Sequence, residues 1–273
     1  MSGTLAVIGG TSGIGRQVVL ESASKSDRII AVGRDARRGE RLEREASGAS
    51  FVAGDLSTVE GTIRITAELA RRGPIETLVL AAGVMPRRRV LTPDGFELNF
   101  AVHHVAQYVL LAHVRSFLAP DATIVSVNSA GHHAPLMGSG PVRLEWSDLE
   151  AAGGYDPFMA YSRGKLAALM TVFAFDRRSG SEFTINALHP GMVRTRIGRD
   201  FPRAQVALAN AMSISVAKGA APVLHLMDAG RSAGCGSYFD RFTRAAPSAA
   251  SLDRDDQERL IAITAERTGI SFD

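Results

Sequence analysis

The stretch that most constrains this chain is a glycine-rich turn set between an apolar, β-branched run and a helical one. Leu5-Ala6-Val7-Ile8 reads as a strand, Gly9-Gly10-Thr11-Ser12-Gly13-Ile14-Gly15 follows at once, and a helix is expected from about residue 14 to 24. Glycines at 9, 13 and 15 let the backbone turn tightly and come close to a ligand. The helix starting there offers unpaired N–H groups and the positive end of its dipole, which suits a pyrophosphate. The spacing is G-x-x-x-G-x-G, not the G-x-G-x-x-G of other dinucleotide turns. Gly9, Thr11, Ser12, Gly13, Ile14 and Gly15 are therefore the first candidate cofactor-binding residues.

The pattern then repeats. Arg28 to Val32, Ser50 to Ala53, Thr77 to Ala81, Thr123 to Val127 and Phe183 to Leu188 read as further strands. Helical stretches lie over Ala36 to Ala46 and near positions 65, 107 and 170. Apolar strands without polar alternation suit a parallel sheet covered on both faces. The expectation is an α/β fold: one Rossmann-type domain over residues 1–273, a doubly wound parallel sheet with helices on both faces. Two long loop-like stretches, 130–156 and 192–203, are candidate substrate loops. Leu252 to Thr268 reads as a surface helix.

Composition narrows the class. Hydrophobic residues at 45% and charged residues at 22% exclude a disordered or fibrous chain, and a single cysteine, Cys235, excludes a disulfide framework. No apolar run approaches the roughly 18 residues of a membrane span, and no signal segment precedes the first strand, so a soluble, cytoplasmic protein is expected. The 31 basic residues are interleaved with 28 acidic ones, which argues against a nucleic-acid partner. Only Lys25, Lys165 and Lys218 are lysines. In so arginine-rich a chain, a lysine at a suggestive spacing stands out.

The second strand ends at Val32-Gly33-Arg34, where an acidic residue would bind the ribose hydroxyls of NAD. Arg34 can instead pair with a 2′-phosphate, so NADP(H) is the expected cofactor. Asp55, after the third strand, is placed to reach an adenine amino group or simply to make a turn. Leu56, Ala82 and Gly83 are further candidate cofactor-binding residues.

Tyr161 and Lys165 lie four apart in a helical segment and share a face. A neighbouring ammonium favours the phenolate, and bringing a tyrosine near neutrality takes roughly 4 kcal/mol. Such a tyrosine can exchange a proton with a carbonyl or alcohol oxygen. Ser129, at the end of the fifth strand, can hold that oxygen.

With the glycines, Ser129, Tyr161 and Lys165 in this order, the sequence resembles the short-chain dehydrogenase/reductase family, nearest its retinol-dehydrogenase-like branch. Asp94-Gly95-Phe96-Glu97, Ala160-Tyr161-Ser162, Leu188-His189-Pro190-Gly191 and Gly236-Ser237-Tyr238-Phe239 carry the resemblance over nearly the whole chain. It implies that Tyr161 is the acid/base, and that Lys165 binds the nicotinamide ribose and lowers the tyrosine pKa. It also implies that Pro190, Gly191, the Val193 backbone and Thr195 meet the nicotinamide end. A homodimer through the apolar helices near 97–118 and 158–175 is a further implication.

Four positions depart from the family pattern. Ile8 replaces a threonine, and Leu80-Ala81-Ala82-Gly83 replaces an Asn-rich turn, which suggests a repacked apolar contact. His103 stands where the family has a catalytic asparagine, and Gly164 where serine or alanine is usual. His103 either takes over a proton relay, with an extra pH inflection near neutrality, or packs on an apolar helix. No metal is expected at His103-His104 or His132-His133, because adjacent residues do not share a helix face.

The preferred reading is an NADP(H)-dependent oxidoreductase acting on a ketone, secondary alcohol or aldehyde of an apolar, medium-sized small-molecule substrate. Leu136, Met137, Trp146, Tyr155, Met192, Ile197 and Phe201 are the expected substrate wall. The alternative is a dinucleotide-binding protein of the same fold without net redox chemistry.

Overall fold

The computed structural model describes residues 3–272 except 136, 139 and 181. Its organising element is one mostly parallel sheet. β1 (Thr4–Ile8) lies between β2 (Arg28–Gly33) and β4 (Ile75–Leu80). β3 (Ala49–Ala53) extends the sheet beyond β2, and β5 (Leu118–Val127), β6 (Thr184–His189) and β7 (Ser237–Asp240) extend it beyond β4. The two-residue β8 (Thr243–Arg244) runs antiparallel beside β7. The doubly wound sheet expected from the sequence is therefore present.

Side chains of each strand alternate between two cores. Ala6 and Ile8 of β1 enter one, and Leu5 and Val7 the other. The first core is closed by α3 (Val59–Arg72), α5 (Ala106–Ala112), α6 (Pro157–Ser179) and α10 (Arg254–Thr268). The second is closed by α1 (Gly13–Ser22), α2 (Ala36–Glu45) and α8 (Val216–Ala229). Among the elements not anticipated from the sequence are β7, β8, α8, the exposed helix α7 (Arg203–Ala211) and the short α9 (Ala249–Leu252). Among the described residues no helix is long and apolar enough to cross a membrane.

The repacked contact at Ile8 takes a simple form. Ile8 and Leu80 are both buried in the first core, and the Ala81 N–H donates to the Ile8 carbonyl at 2.8 Å. Backbone and apolar packing thus join the carboxyl ends of β1 and β4, while at their amino ends the Thr4 N–H donates to the Glu76 carboxylate at 2.5 Å.

The apolar faces of α5 and α6 need a different explanation from the subunit contact suggested above. They are covered within the chain. Leu260 and Ile261 of α10 share their core, and Phe272 stacks on Tyr108 with ring centroids 4.6 Å apart. His104 bridges Thr171 of α6 at 2.8 Å and Thr264 of α10 at 2.7 Å, and burial pushes its pKa down to about 3. The apolarity of these helices therefore no longer argues for a dimer.

Removing a fully buried side chain at this seam should be costly. Leu260→Ala is expected to lower stability by about 2–5 kcal/mol, read from the shift of a denaturant-unfolding midpoint. A loss within about 0.5 kcal/mol, as at ordinary surface positions, would mean that α10 does not hold the α6 face.

Candidate active site

In an open α/β sheet, ligands bind beyond the carboxyl ends of the strands, where the strand order reverses. Here that point lies between β1 and β4. A cleft of about 810 Å³ opens there, walled by the turns that follow β1 to β6.

The glycine-rich turn forms its floor. Gly9 has φ +86°, and a Cβ there would lie 2.7 Å from the Ala82 backbone, so the turn after β4 can approach only a glycine. Ser12 caps α1 without a side-chain hydrogen bond, and the first turn of α1 carries no acidic residue. Its N–H groups remain available to an anion. Thr11, Ser12, Gly13 and Ile14 line the cleft, whereas Gly15 serves packing: a Cβ there would lie 2.4 Å from the Gly9 carbonyl oxygen.

Arg34, Asp55, Leu56, Ala82, Gly83, Pro190, Gly191, Val193 and Thr195 also line the cleft. Asp55 accepts the Ser57 N–H at 3.0 Å, so it makes the turn as well as facing the opening. Sequence reasoning missed Arg38. It lines the same wall from the first turn of α2, with its Nε 3.1 Å from Asp35. A signal was available: a basic residue in a first turn opposes the helix dipole.

α6 delivers the acid/base candidates. It starts at Pro157, with the Asp156 carboxylate accepting the Met159 N–H at 2.7 Å, and its first three turns carry Tyr161 and Lys165 into the cleft. Lys165 is 5% exposed, and its Nζ donates to the Val127 carbonyl at 2.9 Å. Burial lowers its pKa to about 8. The ammonium sits 5.9 Å from the centre of the Tyr161 ring. Burial raises the Tyr161 pKa, and the Ser129 hydroxyl pulls it the other way. The expected lowering by Lys165 is thus not what this arrangement gives, because desolvation of the phenolate dominates.

Ser129 is held by its neighbours. Its N–H donates to Asn128 Oδ1 at 2.7 Å, its Oγ accepts the Gly131 N–H at 3.0 Å, and its carbonyl accepts from His132 Nδ1 at 2.6 Å. Asn128 Nδ2 donates to the Lys165 carbonyl at 3.2 Å. Asn128 was also missed, since nothing in its spacing distinguishes it from a strand-end turn residue.

His103 lies beside Tyr161, with ring centroids 5.3 Å apart and the rings edge to face. Burial, and then the charge of Lys165, hold its pKa well below the usual imidazole range. Its Nε2 accepts the Val84 N–H at 3.1 Å. The near-neutral inflection expected of a relay through His103 is therefore withdrawn. Among the described residues, no group of three His, Cys, Asp or Glu side chains could hold a metal ion.

The expected substrate wall is only partly assembled. Met192 and Ile197 line the cleft, joined by Ala134 and Pro135. Trp146 packs against the first core under Arg259, and Tyr155 donates to the Pro86 carbonyl at 2.9 Å, so both anchor their loop. Phe201 pairs with Phe158 at 5.4 Å, Met137 is exposed, and Leu136 lies outside the described residues.

Comparisons with known proteins point to one family and fold. A family model described as short chain dehydrogenase matches residues 4–140. Human retinol dehydrogenase 12 is 30% identical over 281 residues, spanning 98% of this chain and 86% of that protein. The crystal structure of an uncharacterized protein from Mycobacterium paratuberculosis has a TM-score of 0.78 at 25% identity, covering 99% of this chain and 95% of its own. The angucycline C-6 ketoreductase LanV, solved with bound NADP, has a TM-score of 0.68 at 19% identity, covering 93% and 99%.

Two arginines on one wall predict a measurable preference. Replacing Arg34 and Arg38 together with serine should weaken binding of a 2′-phosphorylated dinucleotide by roughly 10- to 100-fold, as expected for lost charge-assisted hydrogen bonds. Binding of the unphosphorylated form should change little. Equal losses for both in a calorimetric titration would remove these arginines from phosphate recognition.

Proposed function

The chain belongs to the short-chain dehydrogenase family, in its retinol-dehydrogenase-like branch, and on that basis we propose that it is an NADP(H)-dependent oxidoreductase interconverting a carbonyl compound and its alcohol. The observation that carries the proposal is the convergence of Ser129, Tyr161 and Lys165 at the carboxyl end of β5, in the same cleft as the glycine turn. The ketoreductase neighbour with bound NADP is further support.

The residues present fit such a cofactor. The uncapped N-terminus of α1, with Thr11, Ser12 and Gly13, would hold the pyrophosphate, and Arg34 and Arg38 the 2′-phosphate. Asp55 and Leu56 would flank the adenine. Ala82, Gly83, Pro190, Gly191, Val193 and Thr195 would enclose the nicotinamide end, and Lys165 its ribose. When bound, the nicotinamide supplies or accepts the hydride.

The chain's own groups manage the proton. In reduction, Tyr161 gives its phenolic proton to the substrate oxygen, which the Ser129 hydroxyl holds in place. Burial keeps Tyr161 protonated in the resting protein, the form an acid must have. As charge develops on the phenol, the ammonium of Lys165 in a nearly dry site stabilises it more than it would in water. In oxidation the same groups act in reverse. Met192, Ile197, Ala134 and Pro135 offer the substrate an apolar wall, which favours a medium-sized apolar ketone, aldehyde or alcohol.

Incubating the protein with NADPH and a panel of carbonyl compounds tests this reading. Tyr161→Phe should lower kcat by about 10²–10⁴ while cofactor binding survives. The rate of reduction should fall as pH rises through about 8, where Lys165 loses its charge. Lys165→Arg keeps a cation but should lose most turnover, because a planar fork cannot replace a compact ammonium against the Val127 carbonyl. Tight NADPH binding without oxidation by any substrate would favour a non-redox dinucleotide-binding protein instead.

A further inference from the structure

Two of the departures from the family pattern, His103 and Gly164, meet in space. A π-helical turn, Ala101–Val105, precedes α5 and directs the His103 ring inward, where it is 3% exposed. A Cβ at Gly164 would lie 2.9 Å from His103 Nδ1 and 3.1 Å from the Asn99 carbonyl oxygen. On the other side of the ring, Nε2 accepts the Val84 N–H, and a Cβ at Gly83 would lie 3.3 Å from the same nitrogen. The imidazole fills the space between α6 and the turn after β4, and it reaches both only because position 164 has no side chain.

We propose that His103 and Gly164 form one positioning unit: His103 props the Gly83–Val84 turn at the cleft wall, and Gly164 leaves the gap that admits the ring beside Tyr161. This rests on the reading of Tyr161 and Lys165 given above. An amide N–H can only donate, so Nε2 must keep its lone pair and the ring proton must sit on Nδ1. A charged ring would set two donors against each other at Val84. His103 therefore acts as an acceptor that holds a backbone turn, not as a proton carrier. The titratable groups facing it are Tyr161 and Lys165, both on α6; the turn after β4 presents backbone, and His104 points away to Thr171 and Thr264. Gly164 immediately precedes Lys165, so pressure on the ring is passed to the lysine as well as to the turn.

The test is a double-mutant cycle on the full chain with Gly164→Ala and His103→Asn. Gly164→Ala alone should lower Tm by about 4 °C or more, and should raise the KM for NADPH roughly three- to tenfold. In the His103→Asn background, where the smaller amide withdraws from position 164, the same alanine should cost less than half as much by either measure. His103→Asn should leave the shape of the pH–rate profile between pH 5 and 9 unchanged. If His103→Asn does not fold, His103→Gln, which can still offer an acceptor oxygen to Val84, takes its place. Additive losses would overturn the unit, and so would an inflection that disappears with His103. Melting needs no substrate, so the two readings can fail separately. Additive melts beside an inactive Tyr161→Phe would sink the unit alone; coupled melts beside an active Tyr161→Phe would sink the chemistry alone.

Discussion

The site depends on how α6 is fastened to the end of β5. A buried ammonium is costly unless it is hydrogen-bonded, and Lys165 meets that condition through the Val127 carbonyl. The adjoining Asn128 completes the fastening, binding the Lys165 carbonyl with its amide nitrogen and the Ser129 N–H with its oxygen. One asparagine thus sets the register between the helix that carries Tyr161 and Lys165 and the strand end that carries Ser129. His132 steadies the Ser129 carbonyl within the turn after β5, and burial lowers its pKa to about 4, so that bond is made by a neutral ring around neutrality. The three chemical groups share one rigid joint, which is the precondition for proton exchange at a fixed distance.

What the sequence made legible was what repeats or what spacing alone can specify. The central strands were readable because two buried faces demand unbroken apolar runs, and the glycine turn because few other ligands suit it. Tyr161 and Lys165 were readable because a helix maps a four-residue spacing onto one face. α8 was not, for a local reason: Pro222 sits inside it and would ordinarily mark a break, yet the helix continues, packed on the second core by Val223, Leu226 and Met227. β7 is four residues long, too short for a periodic signal. The apolar surfaces of α5 and α6 were ambiguous in principle. Periodicity shows that a face is buried but not by what, and here the answer lies more than 100 positions away, where Thr264 meets His104. His103 and Gly164 were each visible as departures. Their relation was not, since nothing in one sequence says that position 164 faces position 103.

Charge gives a similar lesson about location. The formal net charge of +3 could have belonged anywhere on an arginine-rich surface. In the structure, Arg34, Arg38, Lys165, Arg196 and Arg199 line the cleft against Asp35 and Asp55. The excess of basic groups there equals the excess in the whole chain, so the other formal charges sum to zero. A concave, partly dry wall of net positive charge focuses the field and draws in a polyanion. Arginine suits most of that wall, because phosphate recognition rewards a planar fork. It does not suit position 165, where the cation must fit under a strand end beside a phenol. There a compact ammonium whose proton affinity burial can tune is the better fit, which explains how a lysine-poor chain can still need a lysine at that position.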